Sequence, residues 1–149
     1  MKAALSASLA AGLLLAVLSC GKKDAAGKAA ELEKQFQESL TGVALAGHFT
    51  MGKGQNLREE KYTIEKVSKL KDGLWLFHAR LQYGGRDVTL PLPLPVEWAG
   101  DTPVIHLTDL SIPGVGVYTA RVMIYRGHYA GYWSGKGAGG HLFGRIVKQ

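Results

Sequence analysis

The sequence predicts an all-β domain, a small antiparallel barrel or sandwich of about eight strands, behind a short helical and apolar N-terminal stretch. Three observations carry this. Side chains alternate apolar and polar with a period of two from Thr41 onward. Turn pairs such as Asp72-Gly73 and Gly84-Gly85 recur between the alternating runs. No run after residue 41 repeats every three to four residues as a helix would. At 149 residues one domain is expected.

The N-terminus reads as an address segment. Lys2 precedes the apolar run "AALSASLAAGLLLAVLS", and small residues close it. That is the pattern of a secretory signal over residues 1–19. A membrane-spanning helix needs about 20 apolar residues, and this run is shorter and interrupted by Ser6, Ser8 and Gly12. Residues 20–30, "CGKKDAAGKAA", are small and polar and read as a flexible linker. Leu32, Phe36 and Leu40 fall four apart, so a short helix is expected over 31–41, ended by Thr41-Gly42. The β domain then occupies 42–149.

Cys20 is the only cysteine. No internal disulfide and no thiolate metal site can form from one thiol. Its setting, Val17-Leu18-Ser19-Cys20, resembles the lipobox of bacterial lipoproteins. The resemblance implies a diacylglyceryl group on the Cys20 sulfur, cleavage before Cys20 and acylation of the new amino group. One fatty chain binds a bilayer only marginally, at about 0.8 kcal/mol per buried methylene, whereas two or three hold firmly. It also implies export and a membrane partner held through lipidated Cys20. Gly21 rather than Asp follows the cysteine, which points to the outer membrane, facing the periplasm.

Removing residues 1–19 takes away Lys2 and no acid, lowering the net charge of +6 by one. Such a basic chain suits anionic headgroups or polymers. Lys22, Lys23 and Lys28 beside the anchor fit either added membrane attraction or a solvated tether. Nucleic acid is not an expected partner of an exported protein, although Tyr125, Tyr129 and Tyr132 stand near Arg121 and Arg126.

Within the β domain, "VTLPLPLPVEW" sets Val88, Leu90, Leu92, Leu94, Val96 and Trp98 on one face, with Pro91, Pro93 and Pro95 between them. Alternate N–H groups of a strand point to one edge. Three prolines at this spacing therefore strip donors from one edge only and mark an edge or seam strand. The competing reading is a polyproline segment for a partner, whose period of three fits the leucines poorly. "VTLPLPLPVEWAGDTPVIHLTDLSIPG" and "YAGYWSG…GGHLFGRI" resemble an uncharacterised group of small secreted bacterial proteins. The closing Gly-aromatic strand is loosely similar to lipocalin-like calycin barrels, although Gly47-His48-Phe49 stands where those carry Gly-x-Trp.

No chemistry-bearing motif emerges. The five histidines, His48, His78, His106, His128 and His141, show no close metal spacing. Ser134, His141 and Asp109 lack a nucleophile elbow. "GKGAGG" is followed by a strand, so a hairpin connection explains it better than a phosphate loop. Glu59, Glu60 and Glu65 could supply paired carboxylates but lie among Arg58, Lys61 and Lys66, so a solvated charged face is expected. No catalytic residue, metal or cofactor is therefore assigned. The expected function is binding or scaffolding by a lipid-anchored envelope protein, toward an envelope protein or a small apolar ligand. Trp75, Phe77, Leu92, Trp98, Tyr118 and Trp133 are the candidate ligand-lining residues. The alternative is a hydrolase acting on envelope polymers.

Overall fold

The computed structural model describes residues 12–52 and 56–149. One helix, α1 (Gly12–Ser39), is followed by eight strands. They are β1 (Val43–Phe49), β2 (Arg58–Lys71), β3 (Leu74–Tyr83), β4 (Arg86–Ala99), β5 (Thr102–Ile112), β6 (Gly116–Tyr125), β7 (His128–Gly135) and β8 (Ala138–Lys148). Each strand pairs antiparallel with the next, and β8 pairs with β1, closing a barrel. The all-β reading holds, and of its two forms the structure is the barrel.

Two expectations for the N-terminal region are corrected. The helix is not confined to 31–41, and residues 20–30 are helical rather than a loose linker. Composition misled here: Ala25, Ala26, Ala29 and Ala30 are small, but alanine is the best helix former. Gln35 Nε2 donates to Glu31 Oε1 at 2.9 Å, one turn back. No described helix is long and apolar enough to cross a membrane. The chain forms two compact units that part after Gln35.

Phe36–Gln149 forms the barrel unit. Its first residues finish the helix and plug one end of the barrel. Phe36 is 3% exposed and Leu40 is fully buried. Phe36 meets Trp75, Phe77 and Trp98 edge-on, at centroid distances of 5.0, 6.2 and 5.8 Å. Gly42, three residues past the helix end, takes a left-handed φ of 68° and donates its N–H to Ile64 O as the chain turns into β1.

Alternation sends apolar side chains inward on every strand. Val43, Leu45, Ile64, Trp75, Phe77, Leu94, Val96, Ile105 and Ile124 build one continuous core. The charged side chains of β2–β4 other than Glu60 face out, and Arg80 grips Asp87 with two hydrogen bonds of 2.8 and 2.6 Å. Apolar-in and charged-out is the reverse of the pattern a membrane-spanning barrel needs.

The hairpins are tight. Arg126-Gly127 and Lys136-Gly137 have positive φ at both central residues, the geometry of type I′ turns. "GKGAGG" is thus a two-residue turn, Lys136-Gly137, flanked by strand residues.

The barrel has a seam. β3 and β4 pair over ten residues, Arg86 to Pro95, whereas β4 and β5 pair only from Val96 to Ala99. The Val96 N–H donates to Gly73 O on the β3 side. Even-numbered positions of β4 therefore donate toward β3, and odd-numbered ones face β5. Pro91, Pro93 and Pro95 are odd. They leave β5 without donors, and the ladder stops where they begin.

Candidate functional site

The one buried charged side chain among the described residues is Glu60, 4% exposed. It lies on β2 with Tyr62 and Ile64, on the parity that faces the interior. The Tyr62 hydroxyl donates to Glu60 Oε2 at 2.5 Å, and the Tyr129 hydroxyl donates to Oε1 at 2.9 Å. Tyr129 starts from β7, with β8 and β1 between it and β2. The row of cross-strand partners runs Tyr129, Gly144, Gly47, Glu60. Both intervening residues are glycine. A Cβ on Gly144 would lie 2.7 Å from the Tyr129 ring, and one on Gly47 would lie 2.6 Å from its hydroxyl. The missing Cβ atoms leave the bed on which the tyrosine lies flat along the wall.

Burial raises the Glu60 carboxyl above its ordinary range. The Tyr62 and Tyr129 hydroxyls and the charge of His48 pull the other way but do not cancel it. Burial, then the neighbouring carboxylate, pushes the Tyr129 phenol far up, so it stays a donor at any physiological pH. This corrects the expectation of a solvated charged face for Glu60. Period-two alternation was the signal, since Glu60 shares its parity with Tyr62 and Ile64. Glu59 and Glu65 do face solvent.

The six candidate ligand-lining residues all face the interior but divide between its ends. Trp75 and Phe77, each 2% exposed, and half-buried Trp98 surround Phe36 at the plugged end. Leu92 is buried beside Phe77, its cross-strand partner. Tyr118 and Trp133 stand at the opposite end, 6.3 Å apart and half-buried. The Trp133 indole donates to Thr50 O at 3.1 Å. Half-buried Val88, Leu90, Leu107 and Leu110 share that less covered end.

The histidines take separate environments. His48 lies beside Phe143, His141 beside Tyr132, and His128 Nδ1 is 2.9 Å from Arg126 O. His78 is exposed. His106 Nε2 sits 3.2 Å from Glu97 Oε1 without the alignment of a hydrogen bond. Among the described residues no three of His, Cys, Asp and Glu come close enough to hold a metal ion. Asp109 occupies a β-bulge with φ 48°, where its backbone N–H donates to Thr119 Oγ1. Residues 1–11 of the address segment and the Cys20 side chain lie outside the described residues.

Two shallow depressions mark the outer wall. One, of about 370 Å3, is lined by Met123, Tyr125, Arg126, His128, Tyr129 and Ala130. The other, of about 310 Å3, lies between Glu97, Trp98, His106 and Arg121.

The fold and the site together define an eight-stranded antiparallel barrel, plugged at one end by a helix terminus and braced inside by a tyrosine–glutamate cluster. No family model, no curated protein and no solved structure matches the chain.

Proposed function

We propose that this chain is a lipid-anchored protein of the bacterial envelope whose barrel docks to another envelope component and catalyses no reaction. The observation that carries the barrel half is where the interior groups are spent. Glu60 is committed to Tyr62 and Tyr129, and the aromatic side chains pack on one another. The groups left to meet a partner are on the outside. The anchor half rests on Val17-Leu18-Ser19-Cys20 closing an apolar run, and on the strength of two or three acyl chains in a bilayer. Export to the periplasmic face of the outer membrane follows from the same segment.

The test is fractionation of a two-membrane bacterium producing the full chain and its Cys20→Ser variant, grown with labelled palmitate. The wild type should enter the membrane fraction carrying label, and the variant should carry none. An unlabelled, soluble wild-type chain would refute the anchor.

A second reading, carriage of a small apolar ligand, is favoured by the half-buried Val88, Leu90, Leu107, Leu110, Tyr118 and Trp133 at the end away from Phe36. Native mass spectrometry of the purified chain tests it. A co-purifying small molecule displaced by Leu90→Trp supports carriage, and a bare chain removes it.

A further inference from the structure

The outer wall of β6, β7 and β8 differs from the rest of the barrel in charge and in apolar exposure. From Gly116 to Gln149 the chain has no Asp or Glu, yet it carries Arg121, Arg126, Lys136, Arg145 and Lys148. Of the two flanking strands β1 has no Asp or Glu, and β5 carries Asp109. Among the described residues, the same three strands hold six of the nine large apolar side chains that are exposed: Val117, Met123, Tyr125, Tyr132, Phe143 and Val147.

These side chains form one surface. Met123, Ala130, Phe143 and His48 occupy one cross-strand row. Tyr125, His128 and Arg145 occupy the next, and Arg121, Tyr132 and His141 flank it on the other side. The 370 Å3 depression opens within this area, and Arg126 stacks over the Tyr125 ring at 5.2 Å.

A water-facing wall has no use for exposed phenylalanine and methionine in a contiguous patch. Aromatic, methionine and arginine side chains also occur at protein interfaces, but five basic residues with no acid across three strands make a surface of one sign that suits an anionic layer. Tyrosines with apolar bodies and polar tips, mixed with arginines and free of acids, match the layer where headgroups meet acyl chains. We infer that the β6–β8 wall docks on a bilayer surface rich in anionic lipid, with the aromatic side chains in the headgroup layer and the arginines on lipid phosphates. The proposal rests on the anchored-envelope reading for its setting, because an acylated Cys20 would hold the barrel near a bilayer. The wall itself is testable without the anchor.

The test uses the full chain with Cys20→Ser, which leaves no cysteine. A single cysteine is then placed at Ala130 on this wall or at Thr89 on the opposite, exposed face of β4, and labelled with an environment-sensitive fluorophore. Vesicles are phosphatidylcholine with roughly one-third phosphatidylglycerol, or phosphatidylcholine alone, with spin-labelled lipid as quencher. The label at Ala130 should shift blue and be quenched on the anionic vesicles, and the label at Thr89 should not. Arg126→Glu with Arg145→Glu should weaken the Ala130 response at least tenfold, since each basic residue near such a surface adds measurably to attraction. Equal responses at both positions, no response at Ala130, or an effect indifferent to phosphatidylglycerol would overturn the proposal. Failure of the anchor is read separately, from the palmitate label on wild-type Cys20.

Discussion

Tyr129 reaches Glu60 by lying across two strands whose facing residues, Gly144 and Gly47, have no side chains. Four strands are thereby tied by one ring and one carboxylate. Inside a barrel this arrangement fixes register as well as stability. A slip of one residue between β8 and β1 would put Ala46 or His48, in place of Gly47, beside Gly144 in the path of the ring.

Removing the hydroxyl tests that tie. Tyr129→Phe keeps the ring but leaves a buried carboxylate with a single tyrosine donor. The expected loss is about 2 kcal/mol, the worth of a hydrogen bond to a charged group. In thermal unfolding this corresponds to a fall of roughly 6 to 9 °C for a domain of this size. Gly144→Ala should cost a similar amount, about 1–3 kcal/mol from overpacking, because the new methyl would sit 2.3 Å from Ala46 O. An unchanged melting temperature in both variants would deny the tie.

The raised Glu60 carboxyl gives a pH dependence with a definite sign. The folded state holds this proton more tightly than the unfolded state does. Its contribution is therefore fully present below the ordinary carboxylate range and is lost as pH rises through the raised folded value. Asp87, lowered by Arg80, acts with the opposite sign and loses its contribution as pH falls. Comparing wild type with Glu60→Gln isolates the buried group. In urea titrations across mildly acidic to neutral pH, the wild type should lose stability relative to the variant as pH rises. A difference that stays constant, or grows in favour of the wild type, contradicts the burial account.

Phe36 should be the most costly truncation near the helix end. Phe36→Ala removes a 3% exposed ring in contact with Trp75, Phe77 and Trp98. The expected loss is about 3–5 kcal/mol. Tryptophan fluorescence should shift red as water reaches Trp75, which checks that the plug and not a remote change is responsible.

The prolines of β4 can be tested as edge protection. Replacing Pro91 and Pro93 by threonine restores two N–H donors facing β5, where no ladder takes them up. The expected outcome is concentration-dependent self-association in sedimentation, since an exposed row of donors invites pairing with a second chain. A strictly monomeric double variant would mean that the seam is shielded by something other than the missing donors.

Much of this architecture was legible in the chain. The period-two runs predicted the strands, and "PLPLP" predicted a one-sided edge because proline has no N–H. Trp75 and Phe77 were correctly placed inward, but alternation fixes only the side of the wall, not the height along the axis. For that reason the six candidate residues share a face and not a site. The helix over residues 20–30 is hidden in a linker-like composition of small residues, although alanine among them is the best helix former. The Tyr129–Glu60 tie needed the register of four strands, which no local pattern supplies. Gly47 and Gly144 are separated by 97 positions and become meaningful only as neighbours across β1 and β8.

The claim on which the functional account turns is that Cys20 carries lipid and begins the mature chain. Intact-mass measurement of the protein purified from the membranes of a two-membrane bacterium tests it in one step. The account predicts a chain cut between Ser19 and Cys20 with the added mass of two or three acyl chains. A mass retaining Met1–Ser19, or a cleaved chain with unmodified Cys20, would contradict it.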